Sequence, residues 1–177
     1  MHSNSGNGKF PLLHVDDSAA DRSLVRAAIS LVHTPFEFYE ANGLDAAMPY
    51  FQLADSEHPR PALVLLDYEL EGHTGLDFLY WVRRIKKITE LPVVMLSGSP
   101  ARDHVAECYA AGANHFLTKP KNLESLKRII RALQIWIVSG EPSVIALLKE
   151  YQPNALTTPQ LSLREVSCLP FLMVCMR

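Results

Sequence analysis

A chain of 177 residues with 48% hydrophobic and 20% charged content has room for one sizeable core and an extension beyond it. Its net charge of −2 removes any general pull toward nucleic acid, and no apolar run approaches the roughly 18 residues of a membrane span. Cys108, Cys168 and Cys175 are odd in number and stand at no metal spacing, which argues against a disulfide scaffold.

Residues 1–9 are polar and rich in Gly, Asn and Ser. They lack the apolar centre of a signal peptide, so they read as a disordered lead-in and the cytoplasm is the default compartment. Phe10–Val15 reads as a short strand ending in Asp16-Asp17. Ser18 with Asp21 three residues on has the form of a capping box, and Leu24, Val25, Ala28 and Val32 follow at helical spacing. Thr34-Pro35 ends that helix. Phe36–Ala41 is a second strand, and Asn42-Gly43 turns the chain. Leu44, Ala47, Met48 and Phe51 mark a second helix, with Pro49 as a blemish, because an interior proline removes a backbone donor.

Leu63-Val64-Leu65-Leu66 is an unbroken apolar run that stops on Asp67, the pattern of a strand buried on both faces. After a turn over 68–75, a third helix is expected from 75 to about 87, burying Phe78, Leu79, Val82 and Ile85. Pro92-Val93-Val94-Met95-Leu96 is another all-apolar strand, ending at Ser97-Gly98-Ser99. Pro100 opens a fourth helix over 101–111, and Gly112 caps its end. Residues 114–117 make the fifth strand, ending at Thr118-Lys119-Pro120, and Asn122 starts a fifth helix that runs to 138. Five alternations of strand and helix imply a parallel sheet with helices on both faces, since each right-handed crossover needs its own helix.

All carboxyl ends of a parallel sheet lie on one edge, where open α/β sheets bind their ligands. Four of the five ends here carry Asp16 with Asp17, Asp67, Ser97 and Lys119. Any one of these has a dull explanation as a helix cap or a solvated surface group, but four together do not. Three crowded carboxylates repel one another unless a cation lies between them. Oxygen-only ligation points to Mg²⁺, which readily takes phosphate oxygens as well, and a hydroxyl and an ammonium close by complete a phosphate site.

Val15-Asp16-Asp17-Ser18, Leu65-Leu66-Asp67 followed by Gly75, Leu96-Ser97-Gly98, and Ala110-Ala111-Gly112-Ala113 through Phe116-Leu117 to Lys119-Pro120 together resemble the receiver domain of two-component response regulators, over residues 10–138. Asn122-Leu123 and Gln134-Ile135-Trp136-Ile137 resemble the single-domain regulators that partner phytochrome-type histidine kinases. The resemblance implies a flavodoxin-like, doubly wound five-stranded parallel sheet with five helices. It implies that Asp67 accepts a phosphoryl group from a histidine kinase, and that Mg²⁺ is held by Asp16, Asp17, Asp67 and the backbone carbonyl of Glu69. It implies further that Lys119 and Ser97 bind the phosphoryl oxygens, that Phe116 swings from exposed to buried, that Gly98 leaves the phosphate approachable, and that the peptide bond before Pro120 is cis. Such a protein is a phosphoacceptor switch that catalyses its own transfer and dephosphorylation, not a turnover enzyme. Two positions depart from the common pattern: Glu71 stands where proline is usual, and Glu69 puts a carboxylate two residues after the acceptor.

The fifth helix carries two apolar stripes. Leu123, Leu126, Ile130, Leu133 and Ile137 should face the sheet, while Ile129, Ala132 and Trp136 need either the tail or a partner to cover them. That partner could be a second copy, packing through the fourth helix, fifth strand and fifth helix as many receivers do. Residues 139–177 form an extension too short for an independent core of its own, so no DNA-binding output domain is expected. Within it, 143–150 suits a short helix, Thr157-Thr158-Pro159 a linker, and 169–176 is apolar without an evident reason. The competing readings are weaker. A dinucleotide-binding module lacks its glycine fingerprint, and an aspartate-nucleophile phosphatase would want a second Asp where Glu69 stands. Within the receiver reading, a phosphate relay or sink and a phosphorylation-independent adaptor are the alternatives to a switch.

Overall fold

The computed structural model describes residues 9–52, 55–85, 88–98, 101–140 and 148. What the sequence suggested for residues 1–8 and for the tail, residue 148 apart, lies outside them. Phe10–Val15 (β1), Phe36–Ala41 (β2), Leu63–Asp67 (β3), Val93–Ser97 (β6) and His115–Thr118 (β7) form one five-stranded sheet in the order β2-β1-β3-β6-β7, with every pairing parallel. The order doubles back after β1, so crossovers run to both sides and helices cover both faces.

The two faces divide by strand alternation. Val64 and Leu66 of β3 join Leu13, Val15 and Met95 on one side, packed by Leu44–Ala47 (α2), Pro49–Gln52 (α3), Gly75–Arg83 (α4) and Arg102–Ala110 (α5). Leu63 and Leu65 join Leu12, Val94 and Leu117 on the other, under Ala19–Leu31 (α1) and Leu123–Ser139 (α6). All five residues of β3 and of β6 are buried, as unbroken apolar runs require in the middle of such a sheet.

The expected second helix is two four-residue pieces, broken at Met48-Pro49. Pro49 has no N–H to continue the ladder, and the chain restarts with Phe51 N and Gln52 N donating to Met48 O. The turn after β3 is a small antiparallel hairpin, Glu69–Leu70 (β4) against His73–Thr74 (β5), with Gly72 at φ +74 in its tip. α4 ends at Arg83 rather than near 87: its last turn tightens, with Arg84 N donating to Trp81 O and Ile85 N to Val82 O, and the Arg83 guanidinium reaches Leu91 O, Gly112 O and Asn114 Oδ1, tying the loop before β6 to the one before β7.

On α6, both stripes are accounted for within the chain. Ile129, Ala132 and Trp136 are buried alongside Leu126, Ile130 and Leu133, and Leu148 from the extension belongs to the same cluster. Ile135 and Val138 remain exposed. His115 on β7 meets Trp136 edge-on with ring centroids 5.0 Å apart, and burial lowers its pKa from 6.5 to about 4. The unfolded chain then takes up a proton that the folded chain refuses as pH falls from 6.5 toward 4. Stability is lost in that window, by about 2 kcal/mol for a partly exposed ring. Urea denaturation of His115→Phe should show a correspondingly flatter pH dependence.

Candidate functional site

β1 and β3 are neighbours with Val15 opposite Leu66, so the residues that follow on each, Asp16 and Asp67, come side by side at the carboxyl edge. Asp17 joins them from the exposed side. Carboxylate oxygens of Asp16, Asp17 and Asp67 all lie within 4.8 Å of one another. Lys119 leaves β7, two strands away, and its backbone N–H donates to Ser97 O at 2.8 Å. Its Nζ crosses the end of β6 to donate to Asp67 Oδ2 at 2.7 Å, and it lies 2.9 Å from Asp16 Oδ2. Asp16 and Asp67 are buried, and Ser97 is buried at the end of β6.

The environment separates the two buried acids. For Asp67, burial is the largest influence and pushes the carboxyl up; Lys119 pulls it down and Asp16 pushes it up again, and it stays above the usual range. For Asp16, burial also pushes upward, but His14 and Lys119 outweigh it and hold the carboxyl below its ordinary value. For Lys119, burial works against the charge, yet Asp21, Asp67 and Asp16 together keep the ammonium protonated well above its usual range. One ammonium facing several carboxylates leaves the pocket negative. Its donors at that point are all oxygen, a set suited to a hard divalent cation such as Mg²⁺ or Mn²⁺.

Phe116 is fully buried, the inward end of the movement expected for it, and its N–H donates to Tyr109 Oη at 3.2 Å. The bond before Pro120 is trans, not cis, since no cis peptide occurs among the described residues. That is the lower-energy form of an X–Pro bond, and the reach of Lys119 to Asp67 is achieved with it. Glu69 lies exposed in the hairpin, and its backbone N–H is hydrogen-bonded to Asp67.

Three neighbours of the site escape a reading of the sequence. Tyr68, next to Asp67, stacks on His104 of α5 with centroids 4.5 Å apart at 17°, and its ring lies 6.5 Å from that of Phe116. An aromatic directly after Asp67 was the available signal. His14 is a fully buried imidazole on β1 whose Nε2 is 3.5 Å from Asp16 Oδ2, too far for a strong hydrogen bond, and neither ring nitrogen has a hydrogen-bond partner. It lines a cavity of about 20 Å³ with Asp16, Asp21 and Lys119, the volume of one water. The third is Asp21, whose Oδ2 accepts from Lys119 Nζ at 2.7 Å.

A doubly wound parallel sheet with an acidic pocket and a lysine at its carboxyl edge defines an α/β protein whose ligand-binding edge carries a set of carboxylates suited to a divalent cation. Residues 12–131 match the response regulator receiver domain, and the chain belongs to that family. Among curated relatives, it is 30% identical to response regulator Rcp1 of Synechocystis sp. over 76% of this chain and 94% of that one. It is also 30% identical to two-component response regulator ARR17 of Arabidopsis thaliana, over 67% and 80%. Among solved structures, the Mn²⁺-bound form of Rcp1 is similar at TM-score 0.62 and 30% identity, covering 72% of this chain and 93% of that one. The phosphorylated cyanobacterial phytochrome response regulator RcpA is similar at TM-score 0.65 and 27% identity, covering 75% and 96%. Receiver domains are phosphoacceptor switches that work with histidine kinases and bind Mg²⁺ or Mn²⁺ at an acidic pocket. No helix among the described residues is long and apolar enough to cross a membrane.

Proposed function

We propose that Asp67 is the phosphoacceptor of this receiver. A carboxylate oxygen of Asp67 attacks the phosphorus of a phosphohistidine, a P–O bond forms as the P–N bond breaks, and the departing imidazole nitrogen takes up a proton. The observation that carries this reading is the convergence of Asp16, Asp17 and Asp67 within 4.8 Å, with Lys119 Nζ 2.7 Å from the acceptor. Asp16, Asp17 and Asp67, with the backbone carbonyl of Glu69, would hold Mg²⁺, which when bound neutralises charge on the transferring group. Lys119 takes one phosphoryl oxygen as a point charge, and the Ser97 hydroxyl another. Incubation with acetyl phosphate and Mg²⁺ should add the mass of one phosphoryl group to the intact protein. An unchanged mass would overturn the reading.

The output is a shift of conformation. Phosphorylation adds charge and strong acceptors at one place, and those acceptors shift a population only if they bind Ser97 and Lys119 better in one loop arrangement than another. Helix α5 is suited to respond. Its N-cap, Ala101, makes no side-chain hydrogen bond, and only Val105 and Cys108 of the helix are buried. Phe116 and the Tyr68–His104 stack connect it to the acceptor.

We propose a phytochrome-type histidine kinase as the partner, supported by the likeness to RcpA and to the bacteriophytochrome response regulator AtBRR, the latter at 31% identity and TM-score 0.56. Self-association through α5, β7 and α6 would draw its apolar contact from Ile135 and Val138, which α6 leaves exposed. Sedimentation with and without a phosphoryl mimic tests it, and a monomer in both conditions would exclude it. Glu69 sets the lifetime of the aspartyl phosphate: it is exposed two residues after the acceptor, the position that in receivers influences how water reaches the phosphoryl group. Glu69→Ala is expected to change the hydrolysis rate at saturating Mg²⁺, and an unchanged rate would assign the residue no such role.

A further inference from the structure

We propose that Asp21 is a positioning residue for Lys119, holding the ammonium from α1 while Asp67 exchanges its carboxylate for an acyl phosphate. The inference rests on the reading of Asp67 and Lys119 given above.

Asp21 stands three residues after the N-cap Ser18, and in a full capping box its side chain would return to the Ser18 N–H. Half of that box is present: Asp21 N donates to Ser18 Oγ at 3.2 Å. The other half is taken by a different acid, because Ser18 N donates to Asp16 Oδ1 at 2.9 Å. With the Ser18 N–H satisfied by Asp16, the Asp21 carboxylate is free to leave its own helix end, and its Oδ2 meets Lys119 Nζ at 2.7 Å, 98 residues away in the chain. The ammonium thus rests on three carboxylates from three places: Asp21 on α1, Asp67 at the end of β3 and Asp16 after β1.

These three contacts have different fates. Asp67 loses its free carboxylate on phosphorylation, and Asp16 belongs to the group that would hold the cation. Asp21 belongs to neither the acceptor nor the cation set, so its contact with Lys119 persists through the reaction. A lysine carries four flexible torsions, and one anchor that does not change between states keeps Nζ aimed at the acceptor before the phosphoryl group arrives. Asp21 is also the most exposed of the three, at 40% of its side chain against 0% for Asp16 and 6% for Asp67. Removing it therefore strands no buried charge, and the Ser18 cap, which uses the backbone of residue 21, survives the change.

The test uses the full chain with Mg²⁺ and acetyl phosphate. Asp21→Ala should slow phosphorylation at saturating donor roughly three- to tenfold, with the half-saturating donor concentration and the Mg²⁺ affinity unchanged. Asp21→Asn, which keeps an oxygen acceptor, should lie between Asp21→Ala and the unaltered protein. The Lys119 Nζ resonance, assigned through Lys119→Arg, should exchange faster with solvent in Asp21→Ala, a signature that a purely structural role for Asp21 would not produce. Unaltered transfer and unaltered Nζ exchange in Asp21→Ala would overturn the inference. Failure of the unaltered protein to take up phosphate would overturn the assignment of Asp67 instead.

Discussion

Asp67→Asn is expected to abolish the gain of a phosphoryl group from acetyl phosphate and Mg²⁺ while leaving the fold intact. The amide has nearly the shape of the carboxylate, so β3 and its neighbours need not move. Its oxygen carries no negative charge and its nitrogen lone pair is delocalised into the carbonyl, so it is no nucleophile toward phosphorus. Lys119 keeps its contacts with Asp16 and Asp21. The same variant should be more resistant to urea than the unaltered protein at pH 7 without added metal. The sign follows from linkage: the folded-state carboxyl lies above its ordinary range because of burial and, further down, Asp16. The folded protein therefore favours the neutral acid, and that advantage disappears as pH rises through the folded pKa. At neutral pH the ionised Asp67 is a burden that asparagine removes. Intact mass and a urea titration read the two effects separately. A phosphoryl group that still appears on Asp67→Asn would place the acceptor elsewhere.

Gly75→Ala is expected to be the most damaging glycine-to-alanine change among the described glycines. A Cβ built at Gly75 would lie 2.2 Å from the backbone oxygen of Asp67 and 2.9 Å from Met95 Cε. The methionine end can rotate away, but the carbonyl cannot. Tyr68 N is bonded to Leu96 O, and Gly75 N to Tyr68 O, which fixes the backbone on both sides of the contact. The start of α4 must back off from the acceptor strand, at a cost of about 3 kcal/mol or more. Because the displaced atom is the acceptor's own carbonyl, transfer should fall along with stability. Gly98→Ala is the control for stability alone, since a Cβ there meets nothing within 4 Å. A Gly75→Ala variant with an unshifted urea midpoint would mean that strand and helix separate without cost.

The strands were legible because burial writes itself locally. Four apolar residues in a row before Asp67 already require a strand covered on both faces, and it is buried throughout. Pro49 predicted trouble in the second helix and produced a break there, because a missing N–H acts on its own turn. Asp16, Asp17 and Asp67 were legible as a group once the alternation implied a parallel sheet, since such a sheet has only one carboxyl edge. The second stripe of α6 was ambiguous by nature: Ile129, Ala132 and Trp136 must be covered, but a helical pattern does not name the cover. Leu148 in the same cluster is a contact from beyond the helix.

Asp21 marks the limit most clearly. Its position after Ser18 reads as a capping box, and the local rule was half right. What diverted its side chain was Asp16 taking the Ser18 N–H and Lys119 arriving from the far end of the chain. Periodicity, strand ends and the acidic edge come from forces acting over a few residues, so the amino-acid order alone determines them. The choice of carboxylate for each proton of Lys119, the stacking of Tyr68 on His104 and the carbonyl pressed against Gly75 depend on groups far apart in the chain. Packing of the whole domain brings those groups together, and no local rule specifies their distances.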